Sequence, residues 1–168
     1  IKINKDIIPI KIRLKGDWTS HVSSQKKLSF RIRIVDNKFS YMGMRKFSIQ
    51  HPRERNYLNE WLFTNILREN SILAPRINFV NVWINNDNWG LYLFEESFSK
   101  ELLESNHRRE SVIVKLNEHQ IWEQNKFDKG QSKIPPEDTG SFVDMFDDKK
   151  YSKDPDFTNL FSVAKKRL

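Results

Sequence analysis

The sequence predicts an α+β fold: an antiparallel sheet with one packed helix, followed by an irregular stretch and a C-terminal helix. Three observations carry that reading. Residues 7–15 and 28–35 alternate apolar and polar or cationic side chains, the period of half-buried strands. Residues 76–98 set two aromatic-rich apolar runs on either side of Asn85-Asn86-Asp87-Asn88, the chemistry of a β-hairpin. Residues 54–69 carry Tyr57, Leu58, Trp61, Leu62, Phe63, Ile66 and Leu67 at helical spacing.

The 168 residues suit one domain, or one domain with an appendage. A 38% hydrophobic content can build a core, while 30% charged residues leave much of the chain as surface. The absence of cysteine excludes a disulfide scaffold and thiolate metal sites. No apolar run approaches the ~20 residues of a membrane-spanning helix. Starting at Ile1 without a charged-then-apolar leader, the chain is expected to be a fragment of a longer protein. The formal net charge is +7, unevenly distributed: residues 1–50 hold 12 lysines and arginines against three acidic residues, and the remainder 17 against 19. The basic surplus belongs to the first strands, where it fits either a polyanionic partner or a well-solvated sheet face.

In the first strand Ile8, Ile10, Ile12 and Leu14 share one face and Lys11, Arg13 and Lys15 the other, with Pro9 marking an edge or a strand beginning. Residues 16–21 read as a turn or loop. In the next strand Leu28, Phe30, Ile32 and Ile34 point inward and Ser29, Arg31 and Arg33 outward, so the two should pair as an antiparallel hairpin around a long polar loop. A short strand is expected over 44–49. His51-Pro52 breaks the chain before the helix at 54–69, which Asn70-Ser71 ends. Gly90 sits where a bulge is expected in the returning strand of the 76–98 hairpin. That strand runs into Glu95-Glu96, either a solvated strand end or the lip of a pocket. A short helix or turn is expected at 99–104 and a short strand at 111–116. Periodicity fades over 117–153, which reads as a loop or insertion with one helical turn near 141–146. Asp154-Pro155 supplies the capping chemistry of a last helix. The expected organisation is a lobe over 1–116, an irregular insertion over 117–153 and the start of a further lobe over 154–168.

Several chemistries find no support in the residues. His21, His51, His107 and His119 are scattered, which argues against zinc. There is no nucleophile elbow, no GxGxxG and no P-loop. Lys11, Arg13, Lys15, Arg31 and Arg33 form a basic face, but the strand aromatics have core parity and only Trp18 lies on the exposed side. Stacking platforms need exposed aromatics, which argues against direct nucleic-acid binding. The order of elements offers a third reading. A strand, a polar glycine-containing loop, a strand with lysine at its start, a helix, a hairpin and an acidic strand exit match the small lobe of a protein-kinase-like fold. In such a lobe a loop covers phosphates, a lysine grips them and a helix carboxylate holds that lysine. Lys27, with the outward parity of Ser29 and Arg31, is the candidate lysine and Glu60 its candidate partner.

At these residues the sequence resembles the CotH family of spore-coat protein H-like atypical protein kinases. The likeness is carried by Arg13-Leu14-Lys15-Gly16-Asp17-Trp18-Thr19, by Lys27-Leu28-Ser29-Phe30-Arg31-Ile32-Arg33, by Arg55-Asn56-Tyr57-Leu58 and, most specifically, by the hairpin residues 79–95. It runs over about residues 10–98. The resemblance implies a divergent kinase fold that binds ATP with Mg2+ and phosphorylates serines of a protein substrate, on a spore coat, secreted or at a cell surface. By the same likeness the Gly16 loop would cover the phosphates and Lys27 would contact them, with Glu95 and Glu96 as the hinge beside adenine and Arg13 and Asp17 also at the nucleotide. No counterpart of the family's metal-binding and catalytic aspartates is recognised in residues 118–168, so the chain alone is expected not to transfer phosphate. Some relatives act as surface ligands, and an adhesin-like, non-catalytic protein is the alternative reading.

Overall fold

A computed structural model of the chain describes residues 1–3, 5–15, 28–116, 118–131, 143–146 and 151–167. It divides into two compact units, Ile1–Arg108 and Arg109–Leu168.

The first unit opens with a minimal hairpin of β1 (Lys2–Ile3) and β2 (Asp6–Ile7). A five-stranded antiparallel sheet follows: β3 (Ile10–Leu14), β4 (Phe30–Ile34), β5 (Lys46–Gln50), β6 (Ile77–Ile84) and β7 (Asp87–Glu96). The spatial order is β3-β4-β5-β7-β6. The alternation read from the sequence sets its two faces. One face gathers Ile32, Ile34, Phe47, Ile49, Tyr92 and Phe94 into the core together with Ile8 and Met44. Phe47 and Phe94 meet tilted at 39° with 4.9 Å between ring centroids, and Tyr41 stands edge-on to Phe94 at 5.4 Å, the T-shaped geometry aromatic rings favour. At the sheet edge this face runs out of cover: Ile12 is 55% and Leu14 57% exposed, so the inward position expected for both is only partly realised.

The strand expected at 44–49 is β5, entered through a tight turn at Gly43, whose φ of 77° favours a residue without Cβ. The central hairpin is also present. Asn85 and Asn86 both take positive φ, 51° and 67°, as a two-residue turn matched to strand twist requires. Gly90 pairs with Val82 while Asn88 pairs with Trp83, leaving Trp89 as the extra residue of a bulge.

The helix differs from expectation at its start and in its burial. Residues Pro52–Arg55 form a 3-10 turn, Asn56 and Tyr57 take positive φ, and α1 spans Leu58–Glu69. Periodicity alone cannot see this break, because Tyr57 is apolar and falls in phase. Leu58, Leu62, Phe63 and Ile66 are about half exposed or more, whereas Thr64 is the buried residue of α1. Helix α1 lies against β6, and α2 (Lys100–Ser105) buries Leu102 and Leu103.

In the second unit β8 (Val114–Leu116) pairs with β9 (Val143–Met145). Helix α3 covers Glu118–Asp128 and α4 covers Pro155–Lys165. Within the stretch read as irregular, 117–153, α3 is regular structure, and its polar composition carries no apolar period to detect. The helical turn expected near 141–146 is corrected by β9. The cap of the last helix is as expected: the Asp154 carboxylate accepts from the Asp156 amide at 3.0 Å with Pro155 in the first turn. No helix among the described residues is long and apolar enough to cross a membrane.

Candidate functional site

Strand register builds the site. Arg13 opposes Arg31, Arg31 opposes Ser48, and Ser48 opposes Glu95, one row across four strands. Residues directly opposite share a face, so this row lies on the side of the sheet away from the aromatic core. Two residues beyond Arg13 and Ser48, the same face presents Lys15 and Gln50. The Lys15 Nζ donates to Glu95 Oε2 at 2.5 Å, and Gln50 Nε2 donates to the same oxygen at 2.8 Å.

The 3-10 turn adds a second cation. His51 Nδ1 accepts from the Arg53 amide at 3.3 Å, Pro52 begins the turn, and left-handed Asn56 closes it. The sharp reversal sends Arg55 back over the sheet. Its Nη2 lies 3.5 Å from Glu95 Oε1 and its Nε 3.2 Å from Glu60 Oε2 on the first turn of α1. Arg55 therefore ties helix to strand by bridging two carboxylates.

Burial decides the electrostatics. Glu95 is 8% exposed, and a carboxylate that far from water must be answered by donors and charge. Burial pushes the Lys15 ammonium below its ordinary pKa. The Glu95 carboxylate opposes that shift, while Arg55 and Arg31 add to it. Burial likewise pushes Glu60 upward, opposed by Arg55, reinforced by Glu95 and opposed by Lys15. An ammonium carries three donors, and Glu95 fixes where this one sits. The arrangement can present a partly desolvated, positioned cation to an anionic group.

The residues singled out from the sequence separate into three sets. Glu60 and Glu95 come together, through Arg55. Arg13 stands on the same face but is exposed. Glu96 leaves β7 on the opposite face, where Arg76 clamps it: Nε donates to Oε2 at 2.9 Å and Nη2 to Oε1 at 2.6 Å. Gly16, Asp17 and Lys27, with the whole loop expected to cover phosphates, lie outside the described residues. The solvated-end reading of Glu95-Glu96 is corrected, since both are buried and both are ion-paired. Lys15, Gln50 and Arg55 were not among the expected site residues. Parity placed Lys15 on the correct face, but its contact with Glu95 depends on a register across three strand pairs that no local pattern encodes.

Among the described residues no group of three or more His, Asp or Glu is arranged to hold a metal ion. No curated protein sequence matches the chain. The family model described as CotH kinase protein matches residues 12–166, a span that takes in all of the sheet except the first two residues of β3, together with the Lys15–Glu95 pair, Arg55 and α1. The chain therefore belongs to the CotH kinase protein family.

Proposed function

We propose that this chain binds ATP, and that Lys15, held by Glu95, is the cation that meets the phosphates. One observation carries the reading: a largely buried ammonium fixed at 2.5 Å by a buried carboxylate, at the end of the strand leading into Gly16. A phosphate tail needs positioned positive charge, and a lysine anchored by a carboxylate supplies it without searching rotamers. Arg55 does the same for α1, locking Glu60 and Glu95 in one arrangement. By resemblance the Gly16 loop and Lys27 are proposed to contribute the remaining phosphate contacts, Arg13 and Asp17 to line the nucleotide site, and the end of β7 at Glu95 and Glu96 to border the adenine. The side chain of Glu96, committed to Arg76, contributes rigidity there.

ATP, when bound, supplies the phosphoryl group; a serine of a protein substrate is the proposed acceptor. The family implies Mg2+, but the described residues offer no chelating group for it, and no residue is assigned to metal or to catalysis.

The test is nucleotide binding by titration calorimetry with Mg-ATP on the whole chain. Lys15→Ala should weaken binding roughly ten- to hundred-fold, as for the loss of a charge-assisted hydrogen bond worth about 1.5–3 kcal/mol. Unchanged affinity in Lys15→Ala, with loss in Lys27→Ala, would move the role to Lys27. Failure of the unaltered chain to bind would end the proposal.

A further inference from the structure

Strand β3 is an edge of the five-stranded sheet, and among the described residues no strand pairs with its far side. Its hydrogen bonds to β4 fix which residues face outward. The Lys15 amide donates to Ser29 O at 2.8 Å, and the Val35 amide donates to Pro9 O at 3.1 Å. With Lys11 opposite Arg33 and Arg13 opposite Arg31, the odd-numbered residues bond inward. In an antiparallel ladder bonding alternates, so Ile10, Ile12 and Leu14 turn their N–H and C=O groups to the open edge.

The side chains beside that edge are sorted as sharply. Ile12 and Leu14 are 55% and 57% exposed on one face; Lys11 and Arg13 are exposed on the other. The neighbouring rungs set cation against cation, which is unfavourable in itself. From this juxtaposition we propose that the open edge of β3 docks an extended peptide segment of alternating acidic and aliphatic residues, which adds to the sheet as a sixth strand.

The chemistry selects the occupant. Strand addition draws affinity from main-chain bonds and specificity from alternate side chains. Here an aliphatic residue opposite Ile12 would cover it, while its two flanking acidic residues would face Lys11 and Arg13. A second copy of this chain is a poor occupant, because edge-to-edge pairing would stack Lys11 and Arg13 against the same cations; lysine at an edge deters such pairing. A nucleic acid would leave the outward amides and the exposed Ile12 and Leu14 without partners. The edge shares Arg13 with the proposed nucleotide site, but the inference does not rest on ATP binding, and the variants that test it leave Arg13 and Lys15 unchanged.

The test uses the whole chain without nucleotide and a fluorescein-labelled peptide of four Glu-Val repeats, followed by anisotropy. Saturable binding is expected. It should weaken at least ten-fold with Lys11→Glu, and equally when alternate peptide amides are N-methylated, a change that blocks strand pairing and leaves charge intact. Ile12→Pro should weaken it too. The Ile12 amide points away from β4, so this variant should keep the sheet, as circular dichroism will report. Lys11→Glu gives the same answer without touching the backbone. The proposal is overturned by no saturable binding, by an N-methylated peptide that binds as well as the parent, or by a single-stranded oligonucleotide that binds more tightly. A concentration-dependent dimer in sedimentation that Ile12→Pro abolishes also overturns it, making the edge a self-interface.

Discussion

Because side chains alternate across a strand, Glu95 and Glu96 leave β7 on opposite faces, and each meets a different solution to burial. Glu95 shares its charge among Lys15, Gln50 and Arg55. Glu96 has one answer, the Arg76 guanidinium, supplemented by the Arg76 backbone amide at 3.1 Å, while Arg76 Nη1 donates to Met42 O at 2.7 Å. Its side chain is 0% exposed and that of Arg76 19%, and the paired carboxylate helps hold Arg76 firmly protonated. A buried pair stabilises little relative to a well-packed apolar pair, but removing one member strands the other. Glu96→Ala should therefore cost about 3–5 kcal/mol in urea unfolding. Replacing both partners, Arg76→Met with Glu96→Leu, should recover most of that loss. A single substitution costing under about 1 kcal/mol would mean the pair behaves as a surface ion pair instead.

At the scale of the element, the β6–β7 hairpin obeys chemistry that is local in sequence. Asn85 and Asn86 tolerate the left-handed backbone a two-residue turn demands. Gly90 takes φ 82° at the bulge, and the Asn88 Oδ1 accepts its amide at 2.8 Å. A Cβ added at Gly90 would meet nothing within 4 Å, so only backbone strain opposes substitution. Gly90→Ala should cost about 1–2 kcal/mol, read as a shift in the urea midpoint with unchanged slope. A cost near zero would show that the bulge relaxes to an ordinary ladder. This hairpin was legible in the sequence because its turn, bulge and apolar runs are contiguous. The start of α1 was not, since Asn56 and Tyr57 break the helix without breaking its apolar phase. Nor was the burial of α1: the sheet face bearing Ser48, Gln50 and Glu95 is itself polar, so the helix turns Thr64 inward and leaves Leu58, Leu62 and Phe63 largely exposed. Helix α3 was hidden by its polarity. The site divides in the same way. Glu60 and Glu95 stand out in the sequence by their places in the helix and at the strand end. Lys15 and Arg55 reach them only through strand register and a 3-10 turn, both consequences of the assembled sheet.

Considered whole, the molecule concentrates its means of folding in one unit. The aromatic and aliphatic core from Ile8 to Phe94, the clamp of Arg76 on Glu96, and the cluster of Lys15, Gln50, Arg55, Glu60 and Glu95 all lie within Ile1–Arg108. The second unit has a three-residue strand pair and a last helix without a buried residue among those described, supported by the Tyr151–Phe157 ring contact at 4.5 Å and the Tyr151 hydroxyl bond to Glu110 at 3.0 Å. A chain of about a hundred residues buries enough surface to fold alone, whereas at about sixty residues the margin is thin. Residues 1–108 expressed alone should therefore melt in a single cooperative transition with native far-ultraviolet circular dichroism, while residues 109–168 alone should not. If ATP meets Lys15, the shorter chain should also keep measurable nucleotide affinity, because every residue that holds Lys15 in place travels with it. A broad, non-cooperative melt of residues 1–108 would show that its core depends on the second unit, and the division into two folding units would then have to be abandoned whatever the nucleotide result.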